Sequence, residues 1–172
     1  STITATDTRL LTVHGPGGVG KTRLAQEVLR SIPIELHFKS ARTFVSLDDA
    51  STPESVAVAI LRAMDAQPAA NRDPWQELMD AIGSTAHLLV LDTWEHLLDE
   101  NANIAGLLAL CPELRIIVTS RVRLNLPFEW VHTLSGLALP AAQTASDAPP
   151  SDSLQLFIQQ ARRHNLQFLL TD

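Results

Sequence analysis

The sequence predicts an α/β fold built on a parallel sheet, and three observations lead to this prediction. Short apolar segments recur along the chain, and helical or loop stretches of a dozen residues or more separate most of them. A glycine-rich octet follows the first apolar segment directly, and an aspartate follows the third. Such an alternation is typical of a parallel sheet with helices packed on its faces. We therefore expect a three-layer αβα sandwich.

Five short apolar segments are the predicted strands, and all five are expected to lie in one sheet. Each is only about five residues long and rich in large aliphatic or β-branched side chains, which favours a buried strand over a helix. The predicted strands cover residues 10–14, 43–47, 87–91, 115–119 and 130–134.

Four helices are predicted in the stretches between the strands. One begins after Thr52 and another after Asp73, and in both a proline follows the capping side chain, as is favoured in the first turn of a helix. Pro33 ends the first helix, because proline lacks the N–H group that a helix interior needs. The predicted helices cover residues 21–31, 53–65, 74–83 and 102–110.

Residues 15–22 read Gly-Pro-Gly-Gly-Val-Gly-Lys-Thr and fill the pattern G-x-x-x-x-G-K-[ST] of a phosphate-binding loop. Consecutive backbone N–H groups must wrap the phosphates, and residues without a Cβ atom let the chain curl that closely. Lys21 is expected to bring a positive charge to the β- and γ-phosphates, and the Thr22 hydroxyl is placed to ligate the accompanying Mg²⁺. The residues expected to bind the nucleotide are Gly15, Gly17, Gly18, Val19, Gly20, Lys21, Thr22 and Arg23.

Asp92 follows the apolar run of the third predicted strand. It is thereby delivered to the carboxyl end of the strand, where open parallel sheets place their ligands. An apolar run that ends in Asp is weak by itself, because such residues also mark ordinary turns. Together with the loop about seventy residues earlier, it indicates a carboxylate that holds Mg²⁺ opposite Thr22.

The fourth predicted strand ends in Thr119, Ser120 and Arg121, at the same edge of the sheet. Polar groups at this place could sense the γ-phosphate of a bound nucleotide. The alternative for Arg121 is a solvated charge or an ion pair with a surface acid, because exposed arginines are common.

Three stretches together resemble a known family: residues 15–22, Leu-Val-Leu-Asp-Thr-Trp-Glu-His-Leu-Leu at 89–98, and Cys-Pro-Glu-Leu-Arg-Ile-Ile-Val-Thr-Ser-Arg at 111–121. They resemble the nucleotide-binding domain of STAND-class signalling ATPases, which are related to NB-ARC domains and occur in large bacterial transcriptional regulators of the LuxR type. The similarity runs from about Arg9 to Leu139. It implies a P-loop NTPase fold of the additional-strand type, with sheet order 5-1-4-3-2.

The resemblance also implies a function. Members of this family are typically switches in which ADP holds a closed monomer and ATP opens the domain and promotes assembly. The implied ligands are ATP or ADP with Mg²⁺. The implied partners are other domains of the same full-length chain and other copies in a nucleotide-dependent homo-oligomer.

The residues expected to act in catalysis are Asp92, Glu95 and Arg121. Many hydrolysing relatives place a second acid directly after the Walker B aspartate, but this chain has Thr93. Glu95 is the nearest replacement, because residues i and i+3 share a face in a helical turn. Its alternative role is an acid in the first turn of a helix, favoured by the dipole. Trp94 is expected to be a packing residue.

Slow ATP hydrolysis in a regulatory switch is therefore the first functional hypothesis, and two alternatives stay open. A module that binds nucleotide without hydrolysing it agrees with the non-acidic residue after Asp92. A small-molecule kinase would use the same loop, but it should carry a lid rich in arginine. The region 53–85 offers only Arg62 and Arg72 for that purpose.

Composition and charge limit the ligands and the cellular compartments that we expect for the protein. The formal net charge of −6 argues against direct binding of nucleic acid by this segment, because such binding needs a surplus of Lys and Arg. The single cysteine, Cys111, excludes an internal disulfide and is typical of a reducing compartment. The longest apolar runs are far shorter than a membrane helix requires. We therefore expect a cytoplasmic protein without membrane contact.

A change of composition marks the expected domain boundary. Residues 141–152 are poor in large apolar side chains and contain two prolines and several small polar residues, as linkers do. We expect a P-loop domain over residues 1–140, this linker, and the first helix of a following domain over 153–172. The alternative is a C-terminal helix that packs on the main sheet.

Overall fold

The computed structural model describes residues 8–31 and 41–136. Within them lie five strands, four α-helices and one 3₁₀ turn at Leu98–Glu100. In chain order the elements are β1 (Leu10–His14), α1 (Lys21–Ser31), β2 (Arg42–Ser46), α2 (Pro53–Ala63), α3 (Pro74–Ile82), β3 (His87–Asp92), α4 (Asn101–Leu110), β4 (Leu114–Ser120) and β5 (Glu129–Thr133). Each predicted strand and helix is present, with ends that differ by two residues at most. The 3₁₀ turn before α4 is not predicted by the sequence.

The five strands form one parallel sheet in the order β2-β3-β4-β1-β5. Read from the other edge, this is the order 5-1-4-3-2 that the family resemblance implies, so that prediction is confirmed. The sheet pairs β1 with β4 and β4 with β3. The carboxyl ends of these three strands therefore lie side by side.

The helices cover the sheet on both faces and complete the three predicted layers. Successive side chains of a strand point to opposite faces, so strands β1 to β4 contribute to two apolar clusters. One cluster joins α1 to the sheet through Ala25, Val13 and Ile117. The larger cluster joins α2, α3 and α4 to the opposite face. Its most deeply buried members include Leu10, Ile60, Leu61, Leu78, Leu89, Leu91, Trp94, Ile104 and Ile116.

The helix starts that the sequence predicts are confirmed. Thr52 Oγ1 accepts a hydrogen bond from the backbone N–H of Ser55 at 3.2 Å, and Ser55 Oγ accepts one from the backbone N–H of Thr52 at 3.0 Å, so the two residues form a capping box at the start of α2. Asp73 Oδ1 accepts from the backbone N–H of Trp75 at 3.1 Å and caps α3. Both caps satisfy backbone donors that a helix start would otherwise leave unpaired.

All described residues except 135 and 136 belong to one compact structural unit, Ser1–Leu134. The predicted linker at 141–152 and the predicted helix at 153–172 lie outside the described residues, so the proposed domain division stays a prediction. Among the helices of the described ranges, none combines the length and the apolar character that crossing a bilayer requires.

Candidate functional site

The glycine-rich loop leaves β1 at the carboxyl edge of the sheet and leads straight into α1. Gly18 and Gly20 have φ angles of +76° and +99°, in the left-handed region that residues with a Cβ atom rarely adopt. The backbone N–H of Leu24 donates to Gly20 O at 2.9 Å, so the helix begins at the end of the loop. The N–H groups that precede this bond have no partner within the helix and form a site suited to an anion.

Gly15 is where the loop packs most closely against the sheet. It is buried, and its N–H donates to the backbone oxygen of Ser120 at 3.3 Å. A Cβ atom at this position would lie 2.5 Å from the backbone oxygen of Leu134 and 3.2 Å from Val19 Cγ1. A side chain here would therefore displace either the loop or the chain that leaves β5.

Replacing Gly15 by alanine is expected to lower the free energy of unfolding by about 1–3 kcal/mol, because overpacked sites cost this amount. The control is Gly106→Ala, since a Cβ atom there would meet only Met79 Cε at an ordinary 3.7 Å. Urea unfolding followed by circular dichroism measures both. A loss in Gly15→Ala no larger than in the control would show that the close approach is unimportant.

Lys21 begins α1 and its ammonium group lies across the loop. Its Nζ donates to the backbone oxygens of Gly15 at 2.9 Å and Pro16 at 3.1 Å. These two backbone oxygens thereby hold the positive charge of Lys21 over the loop. Arg23, which the sequence also predicts to bind nucleotide, is exposed in the first turn of the same helix.

Thr22 and Asp92 are brought together from positions 70 residues apart. Thr22 Oγ1 lies 2.9 Å from each carboxylate oxygen of Asp92 and donates to that group. Thr119 Oγ1 donates to Asp92 Oδ1 from the neighbouring strand β4. The Asp92 residue is only 4% exposed at the end of β3. Three elements, α1, β3 and β4, thus meet around one buried carboxylate.

This arrangement fits the needs of Mg²⁺. The ion takes oxygen ligands and is usually held by one or two protein groups together with substrate phosphates and water. The Thr22 hydroxyl and the Asp92 carboxylate supply such oxygens next to the loop. Such a donor set would suit a metal shared between the protein and a phosphate chain.

Thr93, directly after Asp92, has a strained backbone. Its φ angle is +67°, which is an outlier for a β-branched residue. Its N–H donates to Thr119 Oγ1 at 3.0 Å, and its side chain hydrogen-bonds Asp48. Strain of this kind is found at functional sites that the surrounding contacts hold in place.

Asp48 is a further carboxylate at this edge and is not among the predicted site residues. It lies just beyond β2 and accepts a hydrogen bond from Ser46 Oγ at 2.6 Å. This bond first, and then the one from Thr93, hold the pKa of Asp48 below its ordinary value. The available signal was an acidic pair, Asp48 and Asp49, at the carboxyl end of a predicted strand.

Arg121 and Glu95 form an ion pair beside the loop. Arg121 Nε lies 2.8 Å from Glu95 Oε1. The guanidinium packs against Gly17, where a Cβ atom would lie 3.4 Å from Arg121 Cζ. Glu95 Oε2 is buried and has no hydrogen-bond partner in the described part of the chain. The structure thus places both residues near the phosphate-binding loop and joins them to each other.

The predicted helical spacing of Asp92 and Glu95 is wrong. Asp92 is the last residue of β3 and Thr93 has left-handed φ, so Asp92 and Glu95 do not share the face of a helical turn. The prediction for Trp94 is confirmed, since its side chain is fully buried in the larger apolar cluster.

Comparison with known proteins identifies related sequences. The family model described as AAA domain matches residues 4–128. An uncharacterised protein of Mycobacterium tuberculosis is 32% identical over 165 residues, which make up 95% of this chain and 39% of that protein. A candidate HTH-type transcriptional regulator of the same organism is 39% identical over 114 residues, which make up 66% of this chain and 12% of the regulator. The chain thus spans less than half the length of either relative.

Solved structures share the fold. An Aeropyrum pernix ORC2 protein, solved in ADPNP–ADP complexes, superposes with a TM-score of 0.55 at 14% identity, over 73% of this chain and 42% of that chain. Drosophila ORC bound to DNA superposes with a TM-score of 0.53 at 20% identity, over 77% of this chain and 39% of that chain. At such low identity the likeness concerns the fold alone.

Proposed function

The chain belongs to the AAA domain family, and on this premise we propose that it binds ATP and ADP with Mg²⁺ and acts as a regulatory switch with slow ATP hydrolysis. The proposed nucleotide-binding residues are those of the loop from Gly15 to Arg23 except Pro16. Thr22 and Asp92 are the proposed metal ligands, and Arg121 is the proposed sensor of the γ-phosphate.

The contact between Thr22 and Asp92 is the single observation that carries this proposal. A glycine-rich turn alone would satisfy the sequence pattern without any partner. Here the Thr22 hydroxyl in the first turn of α1 lies 2.9 Å from the buried carboxylate of Asp92 at the end of β3, directly beside the glycine-rich loop. A Mg²⁺ bound there would neutralise the charge that develops on the phosphates. The loop N–H groups and Lys21 would bind and orient the phosphate chain.

Replacing Asp92 by asparagine is expected to lower the Mg²⁺-dependent gain in ATP affinity by about tenfold or more, because the variant keeps the shape but loses the charge that holds the metal. Calorimetric titration with ATP in Mg²⁺ and in EDTA measures this gain. Asp99→Asn is the matched control, since Asp99 is an exposed acid on the same connection. An unchanged Mg²⁺ dependence in Asp92→Asn would remove the proposed metal site.

The second candidate is a module that binds nucleotide without hydrolysing it. The residue after Asp92 is Thr93, and Glu95 is already engaged with Arg121. Single-turnover release of phosphate from bound ATP separates the two functions: measurable release supports the slow ATPase, and none supports the module. The kinase alternative is less well supported, because Arg72 forms an ion pair with Asp80 of α3 rather than standing free for a lid.

The wider role that we propose is nucleotide-dependent regulation within a larger protein. The name of the mycobacterial relative as a candidate transcriptional regulator supports this setting. A switch needs ATP and ADP to favour different conformations, because a ligand with equal affinity for two states shifts nothing. The proposed partners are other domains of the full-length protein and further copies of it. Retained ADP in protein purified from cells would favour the closed switch, and retained ATP would contradict it.

A further inference from the structure

The ion pair of Glu95 and Arg121 holds a guanidinium group over the phosphate-binding loop. The two residues follow β3 and β4, which are neighbours in the sheet. Besides the 2.8 Å contact between Nε and Oε1, Arg121 Cζ and Nη2 lie 3.4 Å and 3.5 Å from the position of a Cβ atom at Gly17. Because Gly17 has no side chain, the guanidinium can rest close to the main chain of the loop.

The N–H donors of the Arg121 guanidinium fall into two groups, the one on Nε that faces Glu95 and those on the two terminal nitrogens. A guanidinium carries five N–H donors in a rigid fork. Glu95 Oε1 lies 2.8 Å from Nε in an ion pair, and the terminal nitrogens form no hydrogen bond within the described ranges. These four N–H groups match the geometry of a phosphate, which arginine binds through two parallel hydrogen bonds. The ion pair thus leaves the phosphate-binding end of the side chain available.

Glu95 also restricts a side chain that would otherwise be mobile. The Arg121 side chain is 65% exposed, whereas that of Glu95 is 21% exposed. An ion pair with so much exposure adds little to the stability of the fold. It can still favour binding, because the arginine loses less rotamer freedom when a ligand arrives at a preorganised site. Its main effect is therefore expected in ligand selection.

We propose that Glu95 is a positioning residue that fixes Arg121 for the γ-phosphate and thereby sets the preference of the site for ATP over ADP. This inference rests on the proposed function, since it requires a nucleotide in the loop. ADP has no γ-phosphate, so the contribution of Arg121 falls on ATP alone. Glu95 then acts through Arg121 and need not take up a proton.

Substitution at Glu95 separates positioning from proton abstraction. In Glu95→Gln a side-chain oxygen stays beside Arg121 Nε and can accept a hydrogen bond from it, but the group cannot act as a base. In Glu95→Ala the acceptor is lost. A positioning role therefore predicts that only the alanine variant disturbs nucleotide preference, whereas a base predicts that glutamine already abolishes hydrolysis.

The experiment measures the ratio of the ADP and ATP dissociation constants, in Mg²⁺, for the full chain and its variants. Arg121→Ala and Glu95→Ala are each expected to lower the preference for ATP about tenfold, and the double variant is expected to lower it no further. Glu95→Gln should stay within about threefold of the unchanged protein. The controls Arg123→Ala and Glu113→Ala, at exposed positions, should leave the ratio unchanged. Thermal denaturation checks that every variant is folded.

Two results would overturn the inference while the proposed function survives. One is a Glu95→Ala variant that keeps the ATP preference although Arg121→Ala loses it. The other is a double variant whose ATP preference falls well below that of either single variant, which would show that Glu95 and Arg121 act independently. If the unchanged protein binds neither nucleotide, the proposed function fails, and the inference fails with it.

Discussion

Lys21→Ala is expected to weaken the binding of ATP–Mg²⁺ by about 100-fold or more, which corresponds to ~2.7 kcal/mol. The physical reason is the place of the ammonium group. Its Nζ lies within 3.1 Å of two backbone oxygens of the loop, so the positive charge stands where the phosphates would be wrapped. Charge-assisted hydrogen bonds to phosphate are roughly twice as strong as neutral ones, and alanine removes them all.

Isothermal titration calorimetry with ATP and Mg²⁺ measures this effect. The matched control is Arg30→Ala, which removes a positive charge from the last turn of the same helix, where the Arg30 side chain is 73% exposed. The control should bind like the unchanged protein. Equal affinity of Lys21→Ala and the control would mean that the loop does not bind the phosphates.

Trp94→Ala is expected to lower the free energy of unfolding by about 3–5 kcal/mol, the usual cost of removing a large aromatic side chain from a core. Trp94 is fully buried. Its Nε1–H donates to Asn101 Oδ1 at 2.9 Å, and its backbone N–H donates to Thr119 O at 3.0 Å. The substitution therefore leaves a cavity two residues after Asp92 in the chain. It also leaves the Asn101 side-chain oxygen without its hydrogen-bond donor. Domains are stable by only about 5–15 kcal/mol in total, so this loss is large.

Urea denaturation followed by far-ultraviolet circular dichroism measures the loss. Trp130→Ala is the matched control, because the Trp130 residue on the edge strand β5 is 54% exposed. Its unfolding free energy should stay within about 0.5 kcal/mol of the unchanged protein. A loss in Trp94→Ala as small as in Trp130→Ala would show that the connection after β3 does not depend on this side chain.

The strands and helices could be predicted from the sequence because their signals are local. The apolar run 87–91 has the length and composition of a strand, and the caps Thr52 and Asp73 act on backbone groups two or three residues away. The strand order cannot be predicted from such local signals, because periodicity carries no information on which strands are neighbours. Only the resemblance of three motifs to a family implies it.

The meeting of loop, carboxylate and arginine at one edge follows from a general property of parallel sheets. Because all carboxyl ends lie on one side, Asp92 and Arg121 were expected near the loop. The contacts among these side chains could not be predicted. The pairing of Glu95 with Arg121 depends on the path of two irregular connections, and the left-handed φ of Thr93 breaks the helical spacing assumed for Glu95.

The contacts of Asp48 could not all be predicted from the sequence either. Its lowered pKa depends on hydrogen bonds with Ser46 and Thr93. The first partner is local, but the second comes from the adjacent strand's connection, 45 positions further along the chain. An acidic residue after a strand is common in turns, so the sequence alone gives no reason to select it.

The central claim is that the loop at 15–22 binds the phosphate chain of a nucleotide, and backbone amide NMR tests it most directly. Titration of the full chain with ATP and Mg²⁺ is expected to shift the amide resonances of Gly17, Gly18, Gly20, Lys21 and Thr22, in a saturable way. Resonances at the opposite, amino edge of the sheet, such as that of Leu88, should stay in place. Saturable shifts that spare the loop and fall elsewhere, or no shifts at all at millimolar ATP, would contradict the claim.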